Sequence, residues 1–240
     1  MKYSILMPYH KRSNLLNVTL LSFDYHYKNR DDYEVIIIED FKNFNNKEEH
    51  EKLLEVISKY KNVKLYSPEI SSFNPSKLFN YGIDRSNGEY IILTNPEIVH
   101  LKNVLEGLDE EFLKNSNNYI MCSCQSSFKS KTDIVTFEEF KYESNEWYQH
   151  TLYNNRRLHF CSAIKKELIV KIGKFDENYD KGISYDDDDL RNNIINTGIS
   201  IINRDDLVTV HLEHDRYYQQ SQQNLININR KYYEAKWRIF

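Results

Sequence analysis

The sequence predicts an α/β protein with a mainly parallel central sheet flanked by helices, in a single domain that spans 1–240. Over about the first 95 residues, short apolar runs alternate with longer amphipathic stretches, which is the pattern of successive β-α units. The run at 33–38 is rich in β-branched residues without alternation, as expected of a strand that is buried on both faces. With only 6 glycines and 4 prolines, the chain shows no flexible linker that would divide it.

Four strands and three helices are predicted in the first half. The strands are expected at 3–8, 33–38, 63–66 and 89–94, and the helices between them at 14–27, 47–60 and 74–86. The first helix places Leu15 and Val18 on one face. The third helix begins with Pro75 and ends before Asn87-Gly88, which are a start signal and a stop signal. Ligands are expected beside the residues that follow each strand, because parallel strands end at the same edge of a sheet.

The second half is less regular. A helix at about 102–114 and a strand at 119–125 precede a polar, aromatic stretch at 136–157. A strand–helix unit at 158–173, an acidic stretch, a pair of strands at 198–214 and a helix at 224–237 follow.

Composition excludes several classes of protein. The net charge of −4 gives no support for a nucleic-acid partner. No apolar run approaches the roughly 20 residues of a membrane span, and the first apolar segment is too short for a signal peptide. Cys122, Cys124 and Cys161 are expected to be reduced thiols in the core. These features predict a cytoplasmic protein without a transmembrane segment, and they leave peripheral contact with a membrane open.

Polar residues follow several of the predicted strands, although neither G-x-G-x-x-G nor G-x-x-x-x-G-K-[ST] is present. The two acids at 39–40 can accept hydrogen bonds from a base or from ribose hydroxyls. Glu97, beside the Asn-Pro turn at 95–96, can hold a divalent metal on a diphosphate. His211 and His214 follow a later strand, and imidazole suits Mn²⁺ better than Mg²⁺ or Ca²⁺. Each residue alone has an ordinary alternative as a turn former or surface group, so the prediction depends on the set.

Four consecutive aspartates at 186–189 form the most unusual stretch of the sequence. Consecutive helical residues turn by about 100°, so the four side chains cannot all face one ligand, whereas Asp186 and Asp189 share a face. Asp186 is expected to cap a helix that runs through Leu190 and Ile194. Repulsion among like charges predicts a raised pKa for at least one of the four, which suits a general base.

Five segments of the chain carry a family resemblance: "SILMPYHKR", "EVIIIED", "NPSKLFNYGIDRSNGEYIILTNPE", "IGKFDENYDKGISYDDDDL" and "VHLEH". Over about 3–238, they resemble the family 2 glycosyltransferases, which are inverting enzymes of the Rossmann-like GT-A fold. The similarity extends more loosely to the galactosyl- and N-acetylgalactosaminyltransferases. The resemblance implies a nucleotide-binding half at about 1–97 and an acceptor-binding half at about 98–240.

The resemblance also implies a role for each matching residue. For the nucleotide sugar the matching residues are Pro8, Tyr9, His10, Arg12, Glu39, Asp40, Lys77, Asn80 and Asn95. Asp187 matches the general base, and Glu97 with His211 or His214 matches the ligands of a divalent metal, Mn²⁺ or Mg²⁺. Two departures matter. Asn95 replaces the first acid of the D-x-D motif, and the aspartate tract leaves Asp186 and Asp188 as alternative bases.

The function implied is transfer of a sugar, with inversion, from a nucleotide diphosphate sugar to a hydroxyl acceptor such as a glycan. UDP is the default nucleotide. Candidate acceptor residues are Trp147, Tyr148, Asp186, Arg156 and Arg157, although Trp147 also fits local core packing and the arginines also fit a solvated surface. Two alternatives remain: a binding-only member of the fold, suggested by the missing first acid, and a sugar nucleotidyltransferase, disfavoured because "PYHKRSN" contains no glycine.

Overall fold

The computed structural model of this chain describes residues 1–70, 75–214 and 222–238. The strands in these ranges are β1 (Tyr3–Tyr9), β2 (Tyr33–Glu39), β3 (Val63–Tyr66), β4 (Tyr90–Thr94), β5 (Ile98–His100), β6 (Tyr119–Ser130), β7 (Tyr142–Gln149), β8 (Cys161–Lys165) and β9 (Ile201–His211). The helices are α1 (Ser13–Tyr27), α2 (Phe41–Phe44), α3 (Lys47–Ile57), α4 (Ser76–Arg85), α5 (Val104–Lys114), α6 (Lys166–Lys171), α7 (Asp186–Asn196) and α8 (Gln223–Trp237). Two short 3₁₀ helices span Phe137–Glu139 and Glu177–Lys181.

The described strands form one sheet in the order β3-β2-β1-β4-β8-β6-β9-β5, and β7 pairs with β6 outside this order. Strands β1 to β4 are mutually parallel, as predicted for the first half. The second half adds β8, which runs antiparallel to both β4 and β6, and β9, which is parallel to β6. The sheet is therefore mixed, with its parallel part in the first half of the chain.

Helices cover both faces of the sheet. One core layer joins alternate residues of β1, such as Ile5 and Met7, to α1, α3 and α5. The other joins Leu6 of the same strand to α4, α6 and α7. Because successive strand residues point to opposite faces, a sheet covered on both sides needs apolar residues at nearly every position. This explains why all seven residues of β2 are buried.

The order of the predicted elements is confirmed, with two differences in the second half. The strand pair predicted at 198–214 is wrong, because β9 is one strand whose register with β6 shifts between Arg204 and Val208. The predicted strand at 119–125 extends to Ser130, where it forms a hairpin with β7 inside the polar, aromatic stretch. The start of the third helix, predicted at 74, lies outside the described residues, and the observed helix begins at Ser76.

Two predictions from composition can be compared with the structure. Cys122, Cys124 and Cys161 are buried free thiols, as expected. None of the helices in the described ranges is both long enough and apolar enough to cross a membrane.

Candidate functional site

The candidate site lies at the edge of the sheet where the parallel strands end. Strands β1, β2 and β4 end here because they run in the same direction. Strand β8 is antiparallel to β4, and β6 is antiparallel to β8, so β6 runs in the same direction as β4. Strand β9 is parallel to β6 and therefore also ends at this edge. The N-terminus of α4 and the residues before antiparallel β8 lie at this edge for the same topological reason. The fold therefore assembles segments that are far apart in the sequence.

Glu97 is the centre of a cluster at this edge. Its side chain is buried, and its Oε1 lies 3.5 Å from Nε2 of His214, 3.6 Å from Nε2 of His211 and 3.0 Å from Nη1 of Arg12. Glu97, His211 and His214 each offer a ligand atom, and these atoms lie within 4.8 Å of one another. The structure therefore brings together the three residues that the sequence suggested as metal ligands.

The pKa values of Glu97 and His211 in this cluster lie far from their ordinary values. Burial raises the pKa of Glu97, but a hydrogen bond from His214 and the charge of Arg12 outweigh it and lower the pKa to about 2. Burial lowers the pKa of His211 to about 4, so this imidazole is neutral near pH 7. Glu97 is therefore an anion, and Arg12 rather than His211 supplies the nearby positive charge.

The donor set fits a divalent metal. A carboxylate and two imidazoles are ligands that Mn²⁺ accepts, and a neutral imidazole is the form that binds metal. Oε2 of Glu97 is buried and has no hydrogen-bond partner, which is an unfilled acceptor of the kind that a cation would satisfy.

The turn after β1 directs Arg12 back to Glu97. Lys11 and Arg12 have φ angles of 59° and 69°, in the left-handed region that disfavours residues with a side chain. The backbone N–H of Lys11 donates to Oδ1 of Asn43 at 2.8 Å, which ties this turn to α2. Strained turns of this kind cluster at functional sites. No local signal predicts this turn, since the segment contains no glycine.

Asp40 lies at the same edge, after β2. It caps α2 by accepting the backbone N–H of Lys42 at 2.6 Å, and it lies 3.5 Å from Nδ1 of His10. Although burial raises the pKa of Asp40, hydrogen bonds from His10 and Lys42 lower it below its usual value. Asp40 is therefore an ionised acceptor beside an exposed imidazole.

The structure contradicts the nucleotide-contacting role expected for Glu39. This residue is fully buried and accepts hydrogen bonds from Asn43 at 2.6 Å, His50 at 2.9 Å and Ser67 at 2.6 Å. Glu39 holds the loop after β2 in place and presents no surface to a ligand.

Tyr9 and Asn80 also contact other parts of the protein and are not exposed to a ligand. Tyr9 is fully buried in the core layer under α1, while Pro8 is half-buried. Asn80 uses both ends of its amide on Phe175, at 2.9 and 3.0 Å, and also donates to Glu177 at 2.9 Å. It therefore holds the segment that leads to α7, and its expected contact with the nucleotide sugar is not supported.

Lys77 and Asn95 remain partly exposed at this edge. Lys77, in the first turn of α4, forms an ion pair with Asp180 of the second 3₁₀ helix. Asn95 accepts the backbone N–H of Ile98 at 3.1 Å, which closes the turn that carries Glu97.

The four aspartates have four different environments. The N-cap position of α7 is Tyr185, which makes no side-chain capping hydrogen bond. Asp186 is a buried residue of the first turn, so the expected capping role of Asp186 is wrong. Asp188 forms an ion pair with Arg191 at 2.8 Å. Asp189 is almost fully buried and accepts several side-chain hydrogen bonds. Asp187 is half-buried and accepts the backbone N–H of Asp188 at 2.9 Å.

Asp187 has the electrostatic character of a base. Burial raises its pKa, against the opposing charges of Arg191 and Arg156. Burial also raises the pKa of Asp188, and the charge of Asp187 adds to this. A raised pKa in this tract was predicted from like-charge repulsion, but loss of water is the larger cause.

The candidate acceptor residues fall on two faces. The ring of Tyr148 lies 5.0 Å from that of His211, which places it beside the Glu97 cluster. Trp147 points to the other face of β7, where its ring lies 4.5 Å from His150 and 6.0 Å from the largely exposed Tyr153. His150 and Tyr153 carry no separate signal in the sequence, although both belong to the polar, aromatic stretch at 136–157.

The two arginines before β8 differ. Arg156 is exposed and close enough to lower the pKa of Asp187, and its carbonyl accepts a hydrogen bond from Arg191 at 3.0 Å. Arg157 is half-buried, with its backbone N–H bound to Gln149 at 2.6 Å.

A comparison with protein families identifies the chain. Residues 4–173 match the family described as "Glycosyl transferase family 2". The chain belongs to glycosyltransferase family 2. The family match covers the turn at Arg12, Asp40 and Glu97, and it disfavours the nucleotidyltransferase alternative. It ends before α7, so the assignments of Asp187, His211 and His214 depend on the geometry described above.

Solved structures of similar fold support this result. Staphylococcus aureus TarS 1-349 has a TM-score of 0.64 at 15% identity, covering 88% of this chain and 60% of TarS 1-349. TarS 1-349 in complex with UDP-GlcNAc has a TM-score of 0.60 at 12% identity, covering 91% and 60%. The mannosyltransferase PcManGT from Pyrobaculum calidifontis, in complex with GDP-Man and Mn²⁺, has a TM-score of 0.61 at 13% identity, covering 95% and 60%.

These similarities establish the GT-A fold that the family 2 resemblance implied. At such low identity they establish the fold alone, and the chain spans about 60% of the length of each of these proteins. No curated protein matches the sequence.

Proposed function

We propose that this family 2 member transfers a sugar from a nucleotide diphosphate sugar to an acceptor hydroxyl, with inversion at the anomeric carbon. The observation that carries the proposal is a pair of carboxylates with opposite properties. Glu97 is held as an anion among two imidazoles, whereas the pKa of Asp187 is raised. One suits a metal and a leaving diphosphate, and the other suits a proton acceptor.

The nucleotide is expected to bind along the ends of β1 and β2. Asp40 can accept hydrogen bonds from the base or ribose, and His10 beside it is exposed and can reach the same groups. Pro8 at the end of β1, Lys77 at the start of α4 and Asn95 after β4 are the other polar or partly exposed candidates at this edge. Arg12 is a cation that could move from Glu97 to a phosphate oxygen, and Arg is well suited to that contact.

Glu97, His211 and His214 would hold a divalent metal, Mn²⁺ or Mg²⁺. When bound, the metal would neutralise the negative charge that develops on the leaving diphosphate. Mn²⁺ is favoured because two of the three ligands are imidazoles.

Asp187 would take the proton from the acceptor hydroxyl as that oxygen attacks. A base with a raised pKa holds the proton more firmly than an ordinary aspartate, which assists the transfer. Inversion follows from a single displacement, which requires one base and no covalent intermediate. The acceptor would lie between Tyr148 and Arg156, and Trp147 and Asp186 remain weaker candidates for its binding.

A screen of nucleotide sugars tests the proposal. UDP- and GDP-sugars are incubated with the chain and Mn²⁺, and released nucleotide diphosphate and the anomeric configuration of the product are measured. UDP-GlcNAc is a suitable first donor because TarS 1-349 binds it and shares the fold. The expected result is turnover that requires the metal and gives an inverted product. Calorimetry that detects donor binding while no donor turns over would instead support the binding-only alternative.

A further inference from the structure

Asp189 is a buried carboxylate that the proposed chemistry does not use. It is 1% exposed and accepts hydrogen bonds from Tyr179 at 3.1 Å, Asn193 at 3.2 Å, Lys236 at 2.9 Å and Trp237 at 2.8 Å. Lys236 and Trp237 belong to the last turn of α8. The start of α7 is therefore tied to the end of α8 through a charge that water does not reach.

Helix α8 also holds the turn that precedes α7. Asn229 is fully buried and donates to the carbonyls of Tyr179 and Ser184, both at 2.9 Å. The two segments pack so closely at Gly182 that a Cβ there would lie 2.3 Å from the carbonyl oxygen of Leu225. Only glycine fits this contact, so the position of the turn is set by α8.

The held turn is strained. Ser184 and Tyr185 have φ angles of 66° and 71°, in the left-handed region that is unfavourable for residues with a side chain. Such a conformation persists only where the surroundings enforce it. Asp187 lies two residues after Tyr185, so its position depends on how firmly this turn and the first residues of α7 are held.

Helical geometry connects Asp189 to Asp187. Residues two apart in a helix are about 200° apart around its axis, so the two side chains point in nearly opposite directions. Asp189 faces α8, so Asp187 points away from α8, and the charge of Arg156 before β8 is close enough to act on it. Fixing Asp189 therefore fixes the rotation of the first turn of α7 and the direction of Asp187.

We infer that α8 positions the general base, with Asp189, Lys236 and Trp237 as the positioning residues. The inference depends on the proposed role of Asp187. It gives a function to residues beyond the family match, which ends at 173. Displacing a catalytic group by about 1 Å typically costs about 10²-fold in rate, so loss of this anchor should lower turnover by up to that factor.

The test compares two Asp→Asn variants that share the partner Lys236. Asp189→Asn weakens the anchor on α7. Asp176 accepts hydrogen bonds from Lys236 and from Tyr232, each at 2.8 Å. Asp176→Asn weakens these two contacts with α8 and changes no contact of α7. Asparagine can still cap the 3₁₀ helix that Asp176 begins, so the control removes mainly the link to α8.

Four quantities are measured on the full chain: Tm, the Kd for UDP-GlcNAc with Mn²⁺, the kcat for its hydrolysis, and the pKa of Asp187. The last comes from pH titration of ¹³C-labelled aspartates by NMR, assigned with Asp187→Asn, and needs no turnover. The titratable and charged groups close to Asp187 are Asp188 and Arg191 on its own helix, Arg156 before β8 and the neutral Tyr119 of β6, and all are kept.

Both variants should lower Tm and leave the Kd nearly unchanged. Only Asp189→Asn should lower kcat, by 10- to 100-fold, and move the pKa of Asp187. Equal effects of the two variants on kcat and on that pKa, or no effect of Asp189→Asn on either, would overturn the inference. If Asp189→Asn does not fold, Lys236→Met replaces it, with Lys236→Arg expected to restore kcat. Absence of turnover in the wild type with every nucleotide sugar of the screen contradicts the proposed function, while the NMR comparison still decides the positioning role.

Discussion

Glu97 and Asp187 are both carboxylates at the candidate site, and their surroundings shift their pKa values in opposite directions. Glu97 is buried, but Arg12 and two histidines surround it, and its pKa is lowered to about 2. Asp187 is only half-buried, yet loss of water outweighs the more distant charges of Arg191 and Arg156, and its pKa is raised. Exposure alone therefore does not decide the charge of a carboxylate. The balance between loss of water and the nearby hydrogen bonds and charges decides it, and opposite shifts in one site are the usual mark of divided chemical roles.

The largest effect that would sharpen this comparison is loss of the base. Asp187→Asn should lower kcat for sugar transfer by about 10²–10⁴-fold, because no other group takes the proton, while the Kd for the donor should change little. Steady-state kinetics and calorimetry measure the two quantities. The control is Asp188→Asn, whose carboxylate pairs with Arg191. A larger loss of kcat in Asp188→Asn than in Asp187→Asn would indicate that Asp188 is the general base.

The second effect concerns the metal. Glu97→Gln should weaken Mn²⁺ binding by at least about 10²-fold, since loss of groups that merely orient metal ligands already costs about 10–100-fold. Metal-dependent donor binding, measured by calorimetry with and without Mn²⁺, should fall with it. Glu39→Gln is the matched control, because Glu39 is equally buried nearby but bound to Asn43, His50 and Ser67. The control should cost stability and leave Mn²⁺ affinity intact. Equal loss in both variants would argue against the metal site.

The smallest effect is on stability, and it should have opposite signs at two aspartates. The pKa of Asp187 is raised on folding, so its contribution to stability is present at low pH and lost as pH rises through the folded pKa. Asp187→Asn should therefore raise Tm at pH 7. Asp176 has a pKa lowered to about 2 despite burial, because Lys236 and neighbouring donors bind it. The contribution of Asp176 to stability is fully present above its pKa in the unfolded chain, about 3.9, and is lost as the pH falls toward 2. Asp176→Asn should therefore lower Tm at pH 7.

Thermal unfolding between pH 3 and pH 8 measures both differences. The gain in Asp187→Asn should shrink as the pH falls below the folded pKa, because the wild-type carboxyl is then also neutral. A lowered Tm in Asp187→Asn at pH 7 would mean that this carboxylate is stabilised rather than desolvated, which removes the contrast with Glu97.

The fold was largely predictable because its signals are local. The apolar run at 33–38 and the Pro75 and Asn87-Gly88 boundaries act within one element, and the structure has β2 and α4 there. The shift of register in β9 could not be predicted, because Val208 pairs with Ser123 of a strand far away in the sequence. Local composition at 198–214 is the same whether the segment forms one interrupted strand or two.

The candidate site was predictable only in part. Sequence and resemblance suggested Glu97, His211 and His214, and the fold brings them together because β4 and β9 end at one edge. Glu39 and Asn80 were misjudged because both are polar residues in matching positions whose partners come from other segments. A polar residue that binds the protein itself looks the same in sequence as one that binds a ligand.

The sequence by itself determined the β-α order of the first half, the family, and the fact that four adjacent aspartates on a helix must point in different directions. The helical repeat of about 100° per residue makes that last result independent of context. Only the tertiary structure decided what each aspartate meets: α8 for Asp189, Arg191 for Asp188, and a desolvated position near Arg156 for Asp187. Charge and pKa depend on neighbours in space. For Asp187 and Asp189 these neighbours come from the segment before β8 and from α8, which local sequence does not specify.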